Sequence, residues 1–389
     1  MKLADILRDE SLRLTEFPVA REQIFMAHAG VTVLPRCVAR AMQEYTEQSC
    51  VRHQEFTEAF RLVNDTRRLG AELIGAKADE ISLLGPTSLG LSLIANGIPW
   101  EAGDEVICYH DDYPANVYPW LELRRRGVIV RFLQPAQPGE ITPELVERAL
   151  TPKTRLVALA SCHFLTGYRI DVDAIGRLLR SHGVLFCLDA IQTLGAFETR
   201  VEHVDFLSAD AHKWMLGPMA AGIVYVKEEH QELVRPTLLG AWNVKSPNFV
   251  AQDEIAFERG GRRYEPGVLN MVGTLGMRAA LEMLLDIGIP AISERLLQLK
   301  SRLIAGLQPL GFHFISPATG SAASGINTAW REPDSGAPVE KLFDHLTAHD
   351  VVVSHRHNRE GRGHLRFSPH FYNTEAEVDR VIGLIAECR

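Results

Sequence analysis

Between about residues 70 and 230 the chain alternates short apolar runs with stretches of helical periodicity, and polar, Gly or Pro residues close each run. That alternation marks a parallel sheet covered by helices. The predicted strands span 105–109, 128–133, 155–161, 184–189, 206–209 and 222–226. Ligands of such sheets gather at the carboxyl ends of the strands. A long helical pattern follows over 274–307 and breaks at 288–290, where a Gly and a Pro interrupt it. Beyond it, strands are predicted at 312–316, 326–330, 351–354 and 365–368, with helices at 339–349 and 375–387. The expected fold class is α/β. A large, mainly parallel-sheet domain with helices on both faces (41–280) precedes a small α+β C-terminal domain (281–389). Residues 1–40 are expected to pack on the small domain or cross the active site.

Composition changes this picture little. Hydrophobic residues at 46% and charged residues at 23% are the balance of a globular chain rather than a disordered one. A net charge of -8 gives no electrostatic reason to expect nucleic acid or an anionic membrane as partner. The first residues lack the apolar stretch of a signal peptide, and no later run is long enough to span a bilayer. Cys37, Cys50, Cys108, Cys162, Cys187 and Cys388 form no CxxC pair. They read as reduced thiols of a cytoplasmic protein.

Candidate chemistry begins at Asp210-Ala211-His212-Lys213-Trp214, between a predicted strand and Gly217-Pro218. A lysine desolvated at the sheet's carboxyl edge loses pKa and becomes a nucleophile toward an aldehyde; alone, it reads rather as a surface lysine, and it needs partners. Asp189 ends an apolar strand, where a carboxylate is costly unless something cationic pairs with it. A protonated pyridine nitrogen would do so, and the bland alternative is a helix N-cap. Gln192 follows three residues later, within reach of a ring oxygen. Gly85-Pro86-Thr87-Ser88-Leu89-Gly90 opens a helical pattern, and a helix start offers free N–H groups to an anion. Gly85 and Gly90 have Walker A spacing, but Leu91 stands where that motif needs Lys, so a phosphate monoester fits better than ATP. Tyr113 follows the strand at 105–109 and offers a ring to stack on a flat heterocycle.

Taken in order, these are a phosphate loop, an aromatic, a strand-end Asp with Gln three later, and His-Lys 23 and 24 residues beyond the Asp. The series resembles the class V aminotransferases, the pyridoxal 5'-phosphate (PLP) fold-type I group that also holds cysteine desulfurases and isopenicillin N epimerase-like enzymes. His28-Ala29-Gly30, Arg263-Tyr264-Glu265-Pro266-Gly267 with Asn270, and the stretch from Arg366 to Thr374 extend the likeness over nearly the whole chain. The resemblance implies a Schiff base on Lys213, with Asp189 on the pyridine nitrogen, Gln192 on the phenolic oxygen and Tyr113 stacked on the ring. Thr87, Ser88 and His212 would serve the phosphate, and Arg366 the substrate α-carboxylate. The segment 263–270, with Asn270, would reach the phosphate of a partner subunit, which implies a homodimer with shared sites. Relatives often carry Ser at the position of Asp210, Thr at Val268, and an Asn where this chain has His163 or Phe164; His163 is the expected substitute for that Asn. A carboxylate cannot donate to phosphate, so Asp210 is expected to face a backbone N–H or an arginine.

The reaction is less constrained. No cysteine lies between Val351 and Arg366, which disfavours a desulfurase that carries sulfur on a mobile thiol. The family name puts an aminotransferase first, with a C–S β-lyase close behind and an amino-acid epimerase as a further alternative. All three share a carbanion stabilised by the cofactor. A PLP-fold protein that has lost catalysis, and a nucleotide-binding α/β protein, are the alternatives of other classes. His28, Tyr118, Trp242 and Arg356, with Asn243, are the expected substrate-pocket residues. His355, His357, His364 and His370 raise a metal reading, set aside because no Cys or carboxylate completes a compact set in the sequence.

Overall fold

The computed structural model describes residues 2–332 and 336–388. Its centre is a seven-stranded sheet in the order Ile81–Leu83, Gly222–Val226, Phe206–Asp210, Leu185–Asp189, Thr154–Ala160, Glu105–Cys108, Ile129–Phe132. All pairs are parallel except those of Gly222–Val226, which runs antiparallel to both neighbours. The inner strands are buried on both faces, so they read as continuous apolar runs rather than alternating ones. In Leu185–Asp189, Phe186 and Leu188 enter one core while Leu185 and Cys187 face the other. The helices Arg36–Ser49, Thr57–Ile74 and Met271–Ile287 pack together over the first of these cores.

Six of the seven strands stand where the apolar runs predict them. The seventh, Ile81–Leu83, is three residues long, too short to leave a period. The helical pattern over 274–307 divides as expected, into Met271–Ile287 and Ile289–Leu307, with Gly288 between them at φ 92°.

A second, antiparallel sheet has the order Ser354–His357, Gly363–Phe367, Asn327–Arg331, Phe312–Phe314. The N-terminal segment joins it from the side. Ile24–Phe25 pairs in parallel with Val351–Val352, and Ala27 bridges to Ser368. Further back, buried Arg13 reaches Glu377 at 2.8 Å. This tether carries residues 27–31 across the carboxyl edge of the large sheet. Among the described residues no helix is long and apolar enough to cross a membrane.

Candidate active site

Loops from the carboxyl ends of five strands converge with the N-terminal segment and the small sheet on one cavity of about 400 Å³. One end is built by the helix Thr87–Gly97. Its first N–H groups have no acceptor within the helix, and Thr87 and Ser88 face the cavity. Gly90 seats this helix on the sheet, since a Cβ there would meet Ser208 Oγ at 2.4 Å and Val224 at 2.6 Å. Thr87 Oγ1 accepts the Asp210 N–H at 2.9 Å, leaving its own proton free to donate toward the cavity.

Lys213 and Asp189 line the same cavity and both are buried. Burial pulls the Lys213 ammonium pKa down, with Asp189 opposing and Arg366 and Arg356 assisting. Burial, then the Asp112 charge, pushes the Asp189 carboxyl up, opposed by Lys213. One Asp189 oxygen accepts the Ile191 N–H at 3.1 Å, forming a tight turn rather than a helix cap. Gln192 is held at both ends of its amide: it donates to the Ala29 carbonyl at 3.1 Å and accepts the Trp214 indole N–H at 2.8 Å. Tyr113 forms a wall, half-exposed, with Lys213 Nζ 5.3 Å from its ring centroid and Phe164 edge-on at 5.5 Å. Its N–H is tied to buried Asp112 at 2.8 Å.

Two guanidinium groups also line the cavity. Arg366 is buried; its Nη1 donates to the Phe164 carbonyl at 2.6 Å and its Nη2 to Ser354 Oγ at 3.4 Å, while Nε has no partner. Burial, then the Arg356 charge, pulls its pKa to about 9. A Cβ on Gly30 would stand 3.6 Å from Arg366 Nη2 and 3.7 Å from Arg356 Nη2, so both cations face the same small space. Two such groups with spare donors call for an anion.

The structure thus brings together Thr87, Ser88, Tyr113, Asp189, Gln192, His212, Lys213, Arg356 and Arg366. For six residues the expectation parts from it. His163 does not face the cavity: its ring nitrogens lie 3.0 Å from Thr166 Oγ1 and 3.0 Å from the Asp111 carbonyl, and Phe164 takes the wall instead. His28 is wholly buried between the Ser368 carbonyl and the Tyr372 hydroxyl, at 3.0 and 3.1 Å, and serves the core. Tyr118 is 67% exposed at the start of a short helix. Trp242 packs on Phe60, ring centroids 5.8 Å apart, and Asn243 beside it bonds the carbonyls of Leu238 and Arg263. Asp210 faces neither a backbone N–H nor an arginine; its Oδ1 lies 3.0 Å from His212 Nδ1, misaligned for a hydrogen bond. Asn270 caps the helix Met271–Ile287 through the Gly273 N–H and borders a neighbouring cavity that His212 also lines.

Ser354 and Asp112 join the site beyond the expected set, the first through Arg366 and the second through the Tyr113 N–H. The strand alternation that pairs Ser354 with Arg356 on one face was the available signal, as was the carboxylate beside Tyr113.

The model of the family described as aminotransferase class-V matches residues 24–381. The chain belongs to the class-V aminotransferase family. It is 28% identical to a probable cysteine desulfurase of Methanothermobacter thermautotrophicus, over 96% of each chain. Its fold is similar to an apo cysteine desulfurase of Thermococcus onnurineus, with a TM-score of 0.88, 25% identity and 96% of each chain covered. It is similar also to a cystine C–S lyase bound to its product cysteine persulfide, with a TM-score of 0.86, 20% identity, and 96% and 99% of the two chains covered.

PLP, the cofactor this family implies, fits the residues present. Asp189 is a buried carboxylate that a cationic donor would satisfy, the helix start at Thr87 offers free N–H groups to an anion, and a desolvated lysine lines the same cavity. Asp189 would hold the pyridine nitrogen, and Thr87, Ser88 and His212 the phosphate.

Proposed function

We propose that this chain is a PLP-dependent C–S lyase that cleaves the Cβ–S bond of cysteine or a cysteine derivative without a protein persulfide. The observation that carries the reading is the lining of the cavity: it holds a lysine and two arginines but no cysteine. Among the six thiols, burial pushes Cys108 and Cys37 up to about 12 and Cys162 to about 11, so these are poor sulfur acceptors. Relatives named cysteine desulfurase favour chemistry at the sulfur of cysteine over the aminotransferase that the family name suggested.

When bound, PLP supplies an electron sink for the pair left at the substrate's Cα. Arg366 and Arg356 would grip the α-carboxylate and set the direction of the Cα–H bond. Lys213, whose ammonium is destabilised by burial, is suited to take that proton near neutral pH and to return one later. Tyr113, pinned by Asp112, would close the outer face against water. Sulfur would leave with its bonding pair as a thiolate or persulfide of small-molecule size. A homodimer belongs to the same reading. Exposed Leu238, Leu239, Phe249, Val250, Ile255 and Val268 crowd one stretch of sequence, the kind of apolar surface a second copy covers.

The test is product analysis of the PLP-loaded protein with cysteine, cystine and S-alkyl cysteines. Pyruvate and ammonia, formed in step with released sulfur and lost in Lys213→Ala, are expected. Alanine with sulfur on the protein would make it a persulfide-type desulfurase. Amino transfer to a ketoacid with the C–S bond intact would make it an aminotransferase.

A further inference from the structure

Behind the active cavity, on the other face of the strand Ser354–His357, folding assembles a group that the sequence keeps apart. Side chains alternate along a strand, so Ser354 and Arg356 turn toward the cavity while His355 and His357 turn away. There they meet Glu340, from the first turn of the helix Val339–Ala348 and 15 residues before His355. One ligand atom from each of the three lies within 4.8 Å of the others. Glu340 Oε1 stands 3.5 Å from His355 Nε2, and the two imidazole centroids are 4.6 Å apart. His355 Nε2 is buried and has no hydrogen-bond partner. The expectation that no carboxylate joins these histidines is therefore overturned, because Glu340 is near them in space and not in sequence.

The cross-strand neighbour keeps the space between the ligands open. Gly363 pairs with His357, and a Cβ on it would lie 2.7 Å from Glu340 Oε1 and 2.9 Å from His355 Nε2. Any other residue at 363 would push the carboxylate and imidazole apart. A second compact group, Asp205, Glu229 and His230, is of a different kind. There His230 already lies 2.9 Å from Asp205, and Glu229 holds Lys227 at 2.8 Å, so its charges are satisfied internally.

We propose that Glu340, His355 and His357 bind one divalent transition-metal ion of the zinc class, with water in the remaining position. Two imidazole nitrogens and one carboxylate are a borderline ligand set suited to Zn²⁺ rather than to Ca²⁺ or Mg²⁺, which prefer all-oxygen shells. The ion would tie the strand to the helix Val339–Ala348 on either side of Arg356, and so steady the guanidinium that faces the cavity. That second consequence rests on the carboxylate-binding reading of the site; metal binding itself does not.

The experiment uses tag-free, PLP-loaded protein stripped with a chelator, without substrate, titrated with Co²⁺ by visible absorption and with Zn²⁺ by calorimetry. One tight equivalent per chain is expected, with the d–d spectrum of a nitrogen–oxygen site. It should be lost in His357→Ala and in Glu340→Gln, both at exposed positions, and kept in Asp205→Asn. No tight equivalent, or one that survives both His357→Ala and Glu340→Gln, overturns the site. With the metal bound, the KM for amino acid should fall while kcat stays level. An unchanged KM alongside the lost equivalent in the variants would leave the metal site standing and refute the link to Arg356.

Discussion

Replacing Arg366 by Lys tests the substrate grip most directly, because charge is kept and geometry is lost. The guanidinium spends Nη1 on the Phe164 carbonyl at 2.6 Å and Nη2 on Ser354, and it keeps an unpartnered Nε while facing the same space as Arg356. A lysine ammonium can replace the Phe164 bond or meet the substrate, but it cannot present a fork to a carboxylate. One charge-assisted hydrogen bond in a dry site is worth about 1.5–3 kcal/mol. The expected loss is therefore roughly 10- to 150-fold in kcat/KM, at ~1.4 kcal/mol per tenfold. It should appear chiefly in KM if the bond is equally strong in ground and transition states. The assay is steady-state kinetics on PLP-loaded protein, with the cofactor's absorption band and the thermal midpoint as controls. Arg356→Lys, at an exposed position, should lose less. A variant with the cofactor band intact and KM unchanged would refute the carboxylate role; loss of the band would move Arg366 to holding the cofactor.

Two further outcomes are expected. Gly90→Ala drives a methyl into Ser208 and Val224 and lifts the helix start that carries Thr87 and Ser88. It should cost about 1–3 kcal/mol in a denaturant melt and weaken PLP affinity; a variant with wild-type PLP affinity would sink the phosphate assignment of this helix. Lys300 is wholly buried, donating to the Ile326 carbonyl at 2.8 Å and to Asn327, and burial pulls its pKa to about 7. Its folded pKa is thus below the ordinary value of 10.5. The unfolded chain binds more protons between those two pKa values, so stability should rise with pH across that window by up to ~1.4 kcal/mol per unit. Lys300→Met should flatten that slope, and melts at several pH values that show equal slopes would refute the assignment.

Much of the cavity lining was legible in the sequence. Asp189, Gln192, His212 and Lys213 follow apolar strands of a parallel sheet, and in that architecture strand ends share one edge. Local order along the chain therefore carried spatial order. The Thr87-Ser88 helix start was legible for the same reason, since its N–H groups are exposed by backbone geometry alone.

The rest of the expected set was not. His28 and Trp242 are expected in the pocket, yet the first is consumed by the core and the second by packing on Phe60. His163 sits beside the right position, but its ring is turned to Thr166 and Asp111. What the sequence determined by itself was the sheet, its edge and the residues strung along that edge, because these follow from periodicity and strand termination. What only the tertiary structure decided was which face each remaining side chain presents. The alternation of a four-residue strand sends Arg356 to one side and His355 and His357 to the other, and a helix from elsewhere in the chain brings Glu340 to meet them. Such encounters depend on the packing of distant segments, and no local pattern of residues encodes them.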